Sequence, residues 1–277
     1  MKLRITLVIA AIFAFTLGAA ARTIRVLAIG NSFSEDAVEQ YLYELGQDAG
    51  VDFVIGNLYI GGCPLQRHWN NVENDAPAYR YRKIKGNAAY VQTDNVKIST
   101  AVADEEWDYI SLQQASGVSG VDKSYEPWLT NLVQYLHRAA PKSKIIWHQT
   151  WAYAKNSDHG EFPNYGRDQQ KMYSMICSAA RSAVKRHKLN RVVPSGTAIQ
   201  NARQTYIGDN MNRDGFHLNF VHGRYTAACT WFEALTGRNV TGCTYAPAGM
   251  DSRMAATCRQ AAHNAVKHPW KTAKNNN

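Results

Sequence analysis

Residues 23–36 read TIRVLAIGNSFSED. Val26, Leu27 and Ile29 form an aliphatic run of strand length that stops at Gly30, where glycine permits a sharp change of direction. From Ser34 onward the composition turns helical, with Val38, Tyr41, Leu42 and Leu45 recurring at three- and four-residue spacing. The turn from Gly30 to Ser34 therefore joins a buried strand to a helix. Such a turn lies at the carboxyl edge of an α/β sheet, where these folds bind ligands and where helix N–H groups face them. Ser32 is the candidate nucleophile. The same serine with Glu35 three residues on also fits a capping box, and Ser34 is a second candidate cap, so the turn alone does not decide its role.

Outward from this turn, strand and helix alternate. Val51 to Ile60 reads as a second strand ending in Gly61-Gly62-Cys63-Pro64, a loop that cannot continue it. Trp107 to Gln114 and Lys144 to Thr150 are the third and fourth strands, and Arg191 to Pro194 is a short fifth. Helices are expected over Tyr125 to Ala140, about Asp168 to Lys188, and Phe220 to Thr236, the last stopped by Gly237. The polar, tyrosine-rich segment from Gln66 to Val102 reads as an irregular insertion or small hairpin over the sheet edge, with helix near its start. The alternation predicts a three-layer α/β/α sandwich around a mainly parallel five-stranded sheet, with right-handed crossovers.

Residues 1–21 carry Lys2 and Arg4, an apolar run from Ile5 to Leu17, then Gly18-Ala19-Ala20-Ala21, the pattern of a secretory signal peptide. The apolar run is too short for a membrane anchor, so the expectation is cleavage near Ala21 and export to the periplasm or medium, without membrane insertion. One domain is expected over 22–268, followed by a disordered tail at 269–277. The formal charge of +9 is spread along the chain rather than gathered into a basic block, which argues against a nucleic-acid partner. Cys63, Cys177, Cys229, Cys243 and Cys258 lack CxxC spacing, against a zinc site. Export permits a disulfide, with Cys243 and Cys258 the first pair to test.

A second constellation lies before the closing helix: Arg213-Asp214-Gly215-Phe216-His217-Leu218-Asn219. A histidine activates a serine hydroxyl only in the right tautomer, and a carboxylate three residues earlier on the same turn can accept its Nδ1–H while Nε2 faces the serine. Gly-Asn-Ser-Phe-Ser after the first strand and Asp-Gly-Phe-His before the last helix together resemble the first and last blocks of the SGNH (GDSL-like) hydrolase superfamily. They resemble above all its secreted bacterial branch with a GNSFS-type first block, and the resemblance spans the mature chain in order. It implies a flavodoxin-like fold, Ser32 as nucleophile, and Asp214 and His217 as its partners. It also implies an oxyanion hole of the Ser32 N–H, a glycine N–H after the second strand and a side-chain amide after the third. Gly62 matches the glycine, with Gly61 its competitor. The third block departs from the family's Gly-x-Asn-Asp: here it is Leu112-Gln113-Gln114-Ala115-Ser116, with Gln113 preferred over Gln114 as donor.

The reaction this implies is acyl transfer through an acyl-enzyme, without metal or organic cofactor. Neither an HExxH pair nor a complete calcium loop is present, since Asn210-Met-Asn212-Arg-Asp214-Gly215 has Val221 where the loop needs its glutamate. Trp151 and Tyr153, with Gln114, are candidate substrate contacts, whereas His148 and His68 read as structural. By analogy with secreted members of the superfamily, an acylated glycan is the expected substrate and a carbohydrate esterase the expected enzyme. A lipid-directed or thioester hydrolase with the same triad, and a glycan-binding protein without turnover, are the alternatives.

Overall fold

The computed structural model describes residues 22–273; the leader read over 1–21 and the end of the tail lie outside the described residues. The central strand β1 (Arg22–Gly30) is covered on both faces. Ile24, Val26 and Ala28 point into one apolar cluster, and Leu27 and Ile29 into the other, as the two-residue period of a strand requires. Parallel to β1 on one side runs β2 (Val51–Tyr59) and on the other β5 (Tyr109–Leu112), followed by β6 (Lys144–His148) and β7 (Val192–Val193). These are the five strands the sequence predicts. Their order, β2-β1-β5-β6-β7, reverses direction between β1 and β5, so the turn after β1 and the turn after β5 open onto one crevice.

The sheet is nevertheless seven-stranded and mixed, not five-stranded. The segment after β2 supplies α3 (Leu65–Glu73), an antiparallel hairpin of β3 (Tyr79–Ile84) and β4 (Tyr90–Val96), and α4 (Ile98–Ala103). The hairpin extends the sheet beyond β2 instead of lying over its edge. Most of β4 is exposed, so it is held by its ladder with β3 and not by burial, and it leaves little apolar periodicity in the sequence.

Helices α1 (Ser32–Val38) and α2 (Leu42–Asp48) pack on one face with α7 (Ser195–Arg203), α8 (His222–Thr236) and α9 (Ser252–Lys267). On the other face lie α3, α4 and α5 (Trp128–Ala139); α6 (Gln169–Arg186) contributes its first half to one cluster and its second half to the other. The single helix expected after Ser34 is two, broken where Tyr41 takes a left-handed backbone at φ 69°. Helices α7 and α9 are additions to the predicted set. The expected disordered tail begins in order: the carbonyl of Pro269 accepts from Gln149 Nε2 and Thr197 Oγ1, and the N–H of Ala273 donates to Asn201 Oδ1. All five cysteines are free and buried, so the Cys243–Cys258 pairing is absent. No helix among the described residues is long and apolar enough to cross a membrane.

Candidate active site

At the end of β1 the cap of α1 is Asn31, whose Oδ1 accepts the N–H of Phe33 at 3.0 Å. Ser34 is committed to the Asn31 carbonyl and to Asn57 Oδ1, at 2.7 and 2.8 Å. Capping is thus assigned to Asn31, and the Ser32 hydroxyl is left for another partner. Gly30 is needed for this packing, because a Cβ there would come within 2.6 Å of Ser34 Oγ and 2.9 Å of the Gln113 amide carbon.

The partner is His217. Ser32 Oγ lies 2.8 Å from His217 Nε2, and His217 Nδ1 lies 2.7 Å from Asp214 Oδ2. The second carboxylate oxygen, Oδ1, accepts the N–H groups of Phe216 and His217 at 3.1 and 2.7 Å. One side chain therefore shapes the turn and orients the ring it supports. Partial burial pushes the Asp214 carboxyl up, but the hydrogen bonds from the His217 ring and the two backbone N–H groups outweigh it and hold it below the usual carboxylate range. Within the neutral ring, a carboxylate at Nδ1 selects the Nδ1–H tautomer, in which Nε2 can accept from Ser32.

The His217 turn is braced from several sides. The N–H of Ala154 donates to the Gly215 carbonyl, and both Trp151 Nε1 and Asn212 Nδ2 donate to the Phe216 carbonyl. From the Ser32 side, Asp36 Oδ2 accepts the N–H of Leu218 at 2.7 Å, and Asp36 Oδ1 pairs with Arg213 and Arg224. The Phe216 ring packs on the His217 ring with centroids 4.1 Å apart.

Of the amide candidates after β5, Gln113 faces the site and Gln114 does not. Gln113 Nε2 donates to Asn31 Oδ1 at 2.8 Å, beside Ser32. Gln114 is consumed by the scaffold: its Oε1 accepts the N–H groups of Leu65 and Ala115, and its Nε2 donates to Ser124. Gly62 takes a left-handed backbone at φ 61°, and the neighbouring Cys63 carbonyl accepts from Asn31 Nδ2 at 3.1 Å, so the loop after β2 is tied to the Ser32 turn. Gly61 does not share that conformation.

Trp151 and Tyr153 are fully buried, so neither offers a ring face to a sugar. Trp151 stacks on Phe33 at 4.2 Å and 14°, and Tyr153 Oη bonds Ser116 Oγ at 2.9 Å. Gln114, with both ends of its amide committed to Leu65, Ala115 and Ser124, is likewise held by the scaffold and not offered to a substrate. Composition cannot tell a core aromatic from a stacking platform. Asn31 and Asp36, in contrast, are site residues the sequence reading missed, although both lie within the stretch it began from. Among the described residues, no group of three or more His, Cys, Asp or Glu side chains is placed to hold a metal ion.

Residues 25–265 match a family known as a domain of unknown function, DUF4886. The chain belongs to the DUF4886 family. A crystal structure of a DUF4886 protein from Bacteroides uniformis is 52% identical, superimposes with a TM-score of 0.89, and is covered over 91% of this chain and 97% of that one. The fold of this DUF4886 chain also resembles that of a protein provisionally named a GDSL-like lipase from Parabacteroides merdae, with a TM-score of 0.53 at 15% identity over 78% and 97% of the two chains. The structure of TesA is similar with a TM-score of 0.50 at 12% identity, over 77% and 98%. The fold is therefore SGNH-like. No curated protein matches the chain.

Proposed function

We propose that this protein is an exported serine esterase of the SGNH type that removes acetyl or another small acyl group from a carbohydrate. The observation that carries the reading is the chain Ser32 Oγ, His217 Nε2, His217 Nδ1, Asp214 Oδ2, with links of 2.8 and 2.7 Å on a turn at the sheet's switch point. In the proposed reaction Ser32 Oγ attacks the ester carbonyl carbon while His217 Nε2 takes its proton. The negative charge on the former carbonyl oxygen is met by the N–H of Ser32, the N–H of Gly62 and the second Nε2–H of Gln113. As first residue of α1, Ser32 has an N–H with no intrahelical acceptor. Collapse expels the alcohol, which receives the proton from His217, and a water activated by the same imidazole releases the acid. Every group the chemistry requires is a side chain or backbone N–H of this chain, and an acylated glycan is the proposed partner.

Hydrolysis of p-nitrophenyl acetate, butyrate and octanoate by the mature protein tests the reading, beside Ser32→Ala and His217→Ala. Turnover that favours acetate and disappears in both folded variants supports it. A preference for octanoate points to a lipid-directed enzyme, and activity that survives Ser32→Ala overturns the reading.

A further inference from the structure

Behind Gln113 runs a buried row of polar groups whose protonation can be worked out from its backbone end. The N–H of Phe33 can only donate, so the Asn31 atom 3.0 Å from it is oxygen; the other Asn31 atom faces the Cys63 carbonyl, which only accepts, and is nitrogen. The Gln113 atom 2.8 Å from Asn31 Oδ1 must then be Nε2, and the opposite atom of that amide is Oε1. His148 Nδ1 lies 2.8 Å from that oxygen and must carry a hydrogen. Burial pushes His148 down to about 3, so the ring is neutral, and its Nε2 accepts from the Ser195 hydroxyl at 3.1 Å. His148 and Ser195 are fully buried, and Gln113 is 1% exposed.

We propose that His148 is a positioning residue: its Nδ1–H, bonded to Gln113 Oε1 on the side opposite Asn31, locks the Gln113 amide with Nε2 toward the nucleophile turn and Oε1 away from it, while the Ser195 hydroxyl satisfies the other ring nitrogen. A flipped amide would place a carbonyl oxygen, which repels an oxyanion, where the donor is needed. The row ties the turn after β1, the turn after β5, the end of β6 and the start of α7 together. This role rests on the esterase reading above, since the lock matters only if negative charge develops at Ser32.

Two readouts test it separately. With p-nitrophenyl acetate, His148→Leu removes the Nδ1–H and is expected to lower kcat on the order of 10²-fold, the loss typical of an oxyanion donor, with KM within a few-fold. His148→Asn, whose amide N–H can occupy the Nδ1 position, is expected to recover most of that loss. A leucine variant that keeps its kcat, or an asparagine variant impaired as severely as leucine, overturns the proposal. The second readout needs no substrate and no variant: ¹⁵N NMR of histidine-labelled wild type should show His148 as the neutral Nδ1–H tautomer, and the Nε2–H tautomer contradicts the lock. Absence of Ser32-dependent turnover in the wild type overturns the esterase reading itself, while the tautomer still judges the lock.

Discussion

Asp36 Oδ2 accepts the backbone N–H of Leu218 at 2.7 Å, tying the helix that begins at Ser32 to the residue after His217 across 182 positions of sequence. The carboxylate is fully buried, and it also meets Arg224 at 2.6 Å and Arg213 at 3.0 Å. Removing one member of a buried charge group strands the others, at a cost of about 3–5 kcal/mol. Asp36→Ala should therefore lower the unfolding free energy by about 3 kcal/mol or more in urea titrations. Asp36→Asn retains an acceptor for Leu218, so at temperatures where both variants are folded it should keep more esterase activity than alanine. Equal activities would mean that the Leu218 contact does not hold the His217 turn in register.

Asp214→Asn should leave the turn nearly intact, because an amide oxygen can still accept from the N–H groups of Phe216 and His217. What it removes is the preference for the Nδ1–H tautomer. In serine hydrolases that change costs kcat on the order of 10⁴-fold, and a loss of that order is expected here with little change in thermal stability. A variant within a few-fold of wild type would show that Asp214 serves only the turn.

Gly62 and Gly61 can be separated by backbone cost. A Cβ on Gly62 meets nothing within 4 Å, so Gly62→Ala suffers only from φ at +61°, a penalty of about 1 kcal/mol. Gly61→Ala places its Cβ 3.4 Å from Tyr59 Oη, an ordinary contact, and carries no such penalty. Denaturation of the two variants should show the difference. If the Gly62 N–H receives the oxyanion, Gly62→Ala should also lower kcat more than Gly61→Ala does.

Burial pushes His148 down to about 3, and burial with the nearby Arg67 charge does the same to His68. Between about 3 and the ordinary value of 6.5, the unfolded chain holds protons on these histidines that the folded chain lacks. Each therefore makes stability rise with pH through that window, by about 1.4 kcal/mol per pH unit, and adds nothing to the slope above it. Going from about pH 7.5 to about pH 5, wild type should lose roughly 2 kcal/mol more stability than His148→Asn. Parallel losses in urea titrations would show that His148 is protonated in the folded state.

The parallel half of the fold was legible because each of its strands is buried on both faces and bounded by glycine, proline or polar turns. The candidate site was legible where chemistry and local turn coincide, at Ser32 and at Asp214-x-x-His217. The rest is recorded differently. Tyr90–Val96 is a strand by pairing with β3, and its exposed polar side chains carry no periodic signal. Helix α9 buries Ala255, Ala261, Ala262 and Ala265, whose small side chains give a weak apolar stripe. Val38, Tyr41, Leu42 and Leu45 suit one helix as well as two, and only the backbone at Tyr41 shows the break. The division of labour between Gln113 and Gln114 depends on partners as distant as Leu65 and His148, which adjacent residues cannot reveal.

Covalent labelling of Ser32 tests the central claim most directly. Incubation of the mature protein with a fluorophosphonate, followed by intact-mass and peptide mass spectrometry, should give one adduct, located on Ser32. The adduct should be absent from Ser32→Ala and strongly slowed in His217→Ala. A wild type that remains unlabelled, or an adduct that persists in Ser32→Ala, would contradict the assignment of Ser32 as an activated nucleophile.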